Sequence, residues 1–109
     1  MSIERKVAVI TGASQGIGAA LVKKGGLNGA TKSLAIEYAK RGIRVNAVAL
    51  GIIKTPMHAV EAHAHLGALH PLGRMGEISD VVEAILYLEW AGFVTGEIHH
   101  VDGGQSAGH

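Results

Sequence analysis

In Lys6-Val7-Ala8-Val9-Ile10-Thr11-Gly12-Ala13-Ser14-Gln15-Gly16-Ile17-Gly18, residues 6 to 11 are a nearly continuous apolar run, and three spaced glycines follow it. Such a run, bounded by glycine, reads as a strand buried on both faces, the pattern of a parallel sheet. The glycines let the chain turn tightly and let backbone approach a ligand closely, and a helix is expected to open near Gly16. A helix that begins there presents free N–H groups and a partial positive charge, which suits a phosphate or pyrophosphate. The residues placed around such an anion are Gly12, Ser14, Gln15, Gly16, Ile17 and Gly18. A bare glycine pattern is weak evidence, and its weight here comes from the strand before it and the helix after it.

Working outward, the helix is expected to run from Gly16 to Arg41, with Leu27, Thr31, Leu34 and Tyr38 on one face and a stop at Gly42. Gly25, Gly26 and Gly29 predict a kink or break inside it. Ile43 to Ala49 reads as a second strand, Leu50 to Pro56 as a loop, and Met57 to Leu69 as a helix that ends before Pro71. Ser79 is the expected N-cap of a further helix whose stripe is Val81, Ile85 and Leu88 and which stops at Gly92. Glu97 to Val101 is the third strand, closed by Asp102-Gly103-Gly104. The order β-α-β-α-α-β implies parallel strands with right-handed crossovers.

The whole chain, residues 1–109, has the size of one small domain. Apolar residues make up 48%, which argues against disorder, and aromatics only 4%, so Val, Ile, Leu and Ala must fill the core. A net charge of +1, with no basic run, gives no support for nucleic-acid binding. The absence of cysteine excludes disulfides and thiolate metal sites. No apolar stretch approaches the roughly 20 residues needed to span a membrane, and the first residues do not read as a signal peptide, so a cytoplasmic location is expected.

Taken together, the motifs resemble those of the short-chain dehydrogenase/reductase family. The Thr11-to-Gly18 loop is similar to that family's cofactor signature. Lys24 through Ala39 resembles the helix that begins at its catalytic lysine, and Arg44-Val45-Asn46-Ala47-Val48 the strand after it. Gly51-Ile52-Ile53-Lys54-Thr55-Pro56 resembles the loop at the nicotinamide end; Gly73-Arg74-Met75-Gly76 and Val101-Asp102-Gly103-Gly104 resemble motifs nearer the C-terminus. The resemblance implies an α/β, reduced Rossmann-like unit of two or three layers. About three parallel strands are expected, with the first and second made neighbours or paired across chains by exchange of elements.

The departures are as informative. The family's amino-terminal piece ends near Lys23 and its carboxy-terminal piece begins near Lys24, so the acidic ribose ligand, the Asn-Asn-Ala-Gly strand and the catalytic serine strand are missing. Ala20 stands where the family's Tyr-x-x-x-Lys has its tyrosine, if Lys24 is its lysine. Tyr38 and Tyr87 are followed four residues later by Gly42 and Ala91. Glu37 lies about twenty residues past the loop, as a ribose ligand would, but within a helix, and reads as a solvated charge. Leu50-Gly51 replaces the usual Pro-Gly. Dehydrogenase competence is not expected, and NAD(P) binding is expected to be weak or absent.

Seven histidines are many for this length. On a helix, His58, Glu61 and His65 would share one face. They are either surface residues or, with His63 and His99, the shell of a divalent transition metal such as zinc or manganese. The metal alternative predicts hydrolysis of an anionic phosphoester or an activated ester, with Glu61 as base. The rival functions are a non-catalytic nucleotide- or phosphate-binding remnant and an inactive structural fragment. Two open sheet edges predict a homo-oligomer.

Overall fold

The computed structural model describes residues 6–13, 17–56 and 59–108. Its elements are β1 (Lys6–Ala13), α1 (Ile17–Ala39), β2 (Ile43–Leu50), a 3-10 turn at Val60–Ala62, α2 (His63–Gly67), α3 (Ile78–Trp90), β3 (Ile98–Val101) and α4 (Gln105–Gly108). The three strands form one parallel sheet in the order β1-β2-β3. Lys6 pairs with Ile43 and Ala13 with Leu50 at the two ends of one ladder, and Ala47 pairs with Ile98 at the start of the other. The first two strands have therefore become neighbours within one chain.

β2 is the centre of the molecule. Val45 through Ala49 are all buried, as expected of a strand covered on both faces. Successive side chains alternate between those faces. Val48 packs with Ala84 and Leu88 of α3, joined by Val9, Ile85, Val94 and Val101. Val45, Ala47 and Ala49 turn to the other face, where α1 lies with Thr31 and Ala35 buried. The result is three layers, helix, sheet and helix, with small aliphatic side chains filling the core.

Two polar side chains, buried Asn46 and half-buried Arg44, lock the amino-terminal half of β2. Asn46 donates from Nδ2 to the carbonyl of Val94 (3.0 Å) and accepts the N–H of Glu97 at Oδ1 (3.1 Å), which clamps the turn before β3. Arg44 donates to the carbonyls of Leu88 (2.8 Å), Glu89 (2.6 Å) and Val94 (3.1 Å). Those first two carbonyls belong to the last turn of α3, where the helix dipole favours a cation.

Four local expectations are corrected. α1 is continuous: a side chain at Gly26 or Gly29 would meet open space, so these glycines lower helix propensity without a steric reason to break, and packing on β2 holds the backbone. Of the single helix expected over 57–69, residues 60–67 form a 3-10 turn followed by the five-residue α2, because the chain must fold back before Pro71, and Met57 and His58 lie outside the described residues. The N-cap of α3 is Glu77 rather than Ser79, and the Asp80 carboxylate accepts the Glu77 N–H at 2.7 Å. That helix ends at Trp90, with Ala91 as its cap, ahead of Gly92.

Candidate functional site

Because the strands are parallel, Ala13, Leu50 and Val101 bring the loops that follow them to one edge of the sheet. This carboxy-terminal edge is where open α/β sheets bind ligands. On its β1 side, the strand ends at Ala13 and α1 begins at Ile17. Of the six residues assigned to the glycine loop, Gly12 is half-buried, and a side chain there would meet Cδ2 of Leu27 at 3.1 Å. Gly12 thus lets α1 lie close against β1. Ile17 and Gly18 form the first turn of α1, while Ser14, Gln15 and Gly16 lie outside the described residues.

On the β3 side, Gly51 donates to the Val101 carbonyl (3.0 Å) and is buried against the Asp102 turn. A Cβ on Gly51 would lie 2.8 Å from Nε2 of His70 and 2.9 Å from Cα of Asp102. Gly103 and Gly104 adopt φ of 60° and 93° and pack against His70 and Pro71. His70 is buried, and its Nε2 accepts the N–H of Ile52 at 3.1 Å. In a neutral imidazole the proton then sits on Nδ1. Nothing in the local sequence pattern marks His70 for this role, because its partners lie 18 and more positions away.

Asp102 closes the turn. Partial burial pushes its carboxyl up, but the Ser106 hydroxyl and the N–H groups of Gly104 (3.0 Å) and Ser106 (3.2 Å), with His100 nearby, hold it below the ordinary carboxylate range. Outside this turn, Arg74 forks onto Asp80 (3.0 and 3.4 Å) and Lys54 pairs with Glu77 (3.0 Å), tying the 74–77 loop to α3 and to Ile53. The Arg74 bond and the Glu77 N–H lower the Asp80 carboxyl.

A cavity of about 500 Å³ lies between α3, β3 and the 70–76 loop. Arg74, Glu83, Tyr87, His99 and His100 line it. Of the described residues of the glycine loop, Gly12 does not line it.

The proposed metal ligands do not gather among the described residues, where no three His, Asp or Glu side chains form a group that could hold an ion. Glu61 is exposed on the 3-10 turn, His65 is exposed on α2, and His63 is half-buried with an unpartnered Nε2. His99 is on β3, its ring against Tyr87 (centroids 5.5 Å apart), and His58 lies outside the described residues. Glu61 and His65 belong to the segment 60–67, whereas His99 lies on β3. Glu37 is exposed, as a solvated charge should be.

A family model described as Enoyl-(Acyl carrier protein) reductase matches residues 6–106. Cyclohexanol dehydrogenase of Acinetobacter sp. (strain SE19) is 43% identical over 91 residues, 82% of this chain and 36% of that protein. A 3-oxoacyl-(acyl-carrier-protein) reductase of Aquifex aeolicus is 48% identical over 86 residues, 74% of this chain and 35% of that protein. Among solved structures, a short-chain dehydrogenase family protein from Francisella tularensis superposes with a TM-score of 0.80 at 27% identity, covering 93% of this chain and 51% of that one. ElxO with NADP bound gives a TM-score of 0.76 at 31% identity, covering 91% of this chain and 46% of that one. The chain belongs to the short-chain dehydrogenase/reductase family. It spans about a third of the length of the curated relatives it matches.

Proposed function

We propose that this chain is a non-catalytic nucleotide- or phosphate-binding form of an NAD(P)-dependent oxidoreductase, without dehydrogenase activity of its own. The observation that supports it most is the passage from β1 through Gly12 into the start of α1. Gly12 and the N–H groups at the start of α1 would hold phosphate oxygens. The nucleoside end has less to offer, since the one acid at the expected spacing, Glu37, points to solvent from α1. When bound, a nicotinamide would supply a hydride acceptor, but proton transfer needs a phenol poised by a lysine. Tyr38 lies under the Arg41 guanidinium at 5.1 Å and Tyr87 lies beside His99, and neither has a lysine four residues on.

The test is calorimetric titration of the chain with NADPH, with an adenine mononucleotide and with inorganic phosphate, repeated on Gly12→Asp. Binding of the phosphate-bearing probes that falls at least about tenfold in the variant supports the proposal, a factor worth about 1.4 kcal/mol. Saturation by none of the three, or steady nicotinamide turnover abolished by Lys24→Ala, overturns it. A zinc or manganese ion held by histidines, with Glu61 as base, is supported only by the order of those residues along the chain. The chain is also proposed to self-associate.

A further inference from the structure

We propose that His70 is a proton-operated latch on the cavity at the carboxy-terminal edge: its neutral ring holds one end of the 70–76 loop against Ile52, and uptake of a proton releases that end. The latch does not depend on nucleotide binding, because its partners are Ile52 and the turn after β3 rather than the glycine loop.

The loop is tied to the strand ends at two places. At its far end, Gly76 donates to the Ile52 carbonyl (2.9 Å) and accepts the Lys54 N–H (2.8 Å). At its near end, Nε2 of His70 accepts the Ile52 N–H (3.1 Å) and Leu72 donates to the Gly103 carbonyl (3.0 Å). Gly73, between the two, has a φ of 78°, which suits a bend that glycine makes readily. The far end is held backbone to backbone, and those bonds carry no titratable group. The near end depends on a side chain that can change from acceptor to donor. His70 and Leu72 both line the cavity, so this end is part of its wall.

The closed loop has no place for a second proton on the ring. His70 is only 3% exposed. A protonated imidazole is a donor at both nitrogens. At Nε2 the new N–H would meet the Ile52 N–H, donor against donor, where a bond now stands. Nδ1 has no hydrogen-bond partner, and a buried unpaired charge costs far more than a buried unpaired neutral donor. The titratable groups on the elements around it are His63 and His65 of α2, His99 and His100 of β3, Asp102 after β3 and Arg74 of its own loop. Among these Asp102 is the one acid, and its carboxylate is taken by the N–H groups of Gly104 and Ser106 and by the Ser106 hydroxyl. Across the cavity, Asp80 is paired with Arg74 and Glu83 is exposed on α3. Water offsets the charge only when the near end is open. The open loop then binds one proton more than the closed loop, so its population rises as pH falls. Histidine changes charge between about pH 5 and 8, which sets the window.

Amide hydrogen exchange reads the latch bond by bond. Protection factors at Ile52 and Leu72, corrected for the intrinsic pH dependence of exchange, are expected to fall at least about tenfold between about pH 7.5 and about pH 5.5; one proton allows at most about tenfold per pH unit. Those at Lys54 and Gly76 are expected to stay within about twofold. His70→Gln keeps an oxygen that can accept the Ile52 N–H but takes up no proton, so in that chain all four should stay within about twofold. The remaining titratable groups are present in both chains, and the difference isolates His70. No fall at Ile52 and Leu72, a uniform fall at all four amides, or the same fall at Ile52 in His70→Gln overturns the proposal. If the variant fails to fold, NMR of the unaltered chain decides. The Cε1–H resonance of His70 should move to its charged position over the same pH range in which Ile52 loses protection. A charged ring beside an Ile52 amide that is still protected overturns the proposal.

Discussion

Gly51→Ala should damage the carboxy-terminal edge more than any other single methyl added there. The added Cβ would lie 2.8 Å from Nε2 of His70, 2.9 Å from Cα of Asp102 and 3.1 Å from its Cβ. The imidazole can swing aside, at the cost of the bond it accepts from Ile52, which is worth about 0.5–1.5 kcal/mol. The Asp102 backbone cannot, because Gly51 itself donates to Val101 just before it, and overpacking of this kind costs about 1–3 kcal/mol. The two together give a loss of about 2–4 kcal/mol. With a urea slope of about 1–3 kcal/mol/M, the unfolding midpoint should fall by about 0.7–4 M. His70→Ala is the control. In that background the imidazole contact is gone but the Asp102 contact remains, so Gly51→Ala should still cost at least about 1 kcal/mol. A Gly51→Ala chain within about 0.5 kcal/mol of wild type would show that β2 and the Asp102 turn are not as close as described. A penalty that vanishes once His70 is removed would show that only the imidazole matters.

Three further outcomes follow from the same structure. Arg44→Met removes a cation from three carbonyls around the end of α3 and should lower stability by about 2–4 kcal/mol in denaturant titration. Asp102 is held below its ordinary range, so the stability it contributes is present above the unfolded carboxyl value and is lost as pH falls through the folded one. Asp102→Asn should therefore flatten the loss of stability on acidification below about pH 4, read from unfolding midpoints at stepped pH. Treatment with a strong chelator should leave the thermal midpoint within about 1 °C, since no three metal-ligating side chains converge among the described residues; a drop of about 5 °C or more, restored by zinc, would return the histidines to the functional site.

The sequence makes the elements legible where one physical factor dominates. β1, β2 and β3 are apolar runs between turns, and each is a strand, although β1 and β2 extend to Ala13 and Leu50 and β3 starts at Ile98. The face of α1 was legible because its period survives the glycines: Thr31 is buried and Leu27, Leu34 and Tyr38 are half-buried, with Ala35 added to them. Long-range pairing is what local pattern does not carry. The Asn46 and Arg44 clamps join residues about fifty positions apart, and His70 owes its place to Ile52 and to the glycines beyond Asp102. The histidine spacing is likewise local: Glu61 and His65 are exposed on the 60–67 segment and His99 sits on β3, so spacing along the chain does not say whether they meet.

The order of the sheet also sets when it can be built. Lys6 pairs with Ile43 and Ala47 pairs with Ile98, so neither ladder contains a local contact. Of the three described strands β1 is made before β2, its one ladder partner among them, and β2 in turn is made before β3. Topologies of this kind close slowly because loop entropy is lost before any ladder bond repays it. During that interval apolar strand surface waits for its partner, which is the stage at which such chains are most exposed to misassembly.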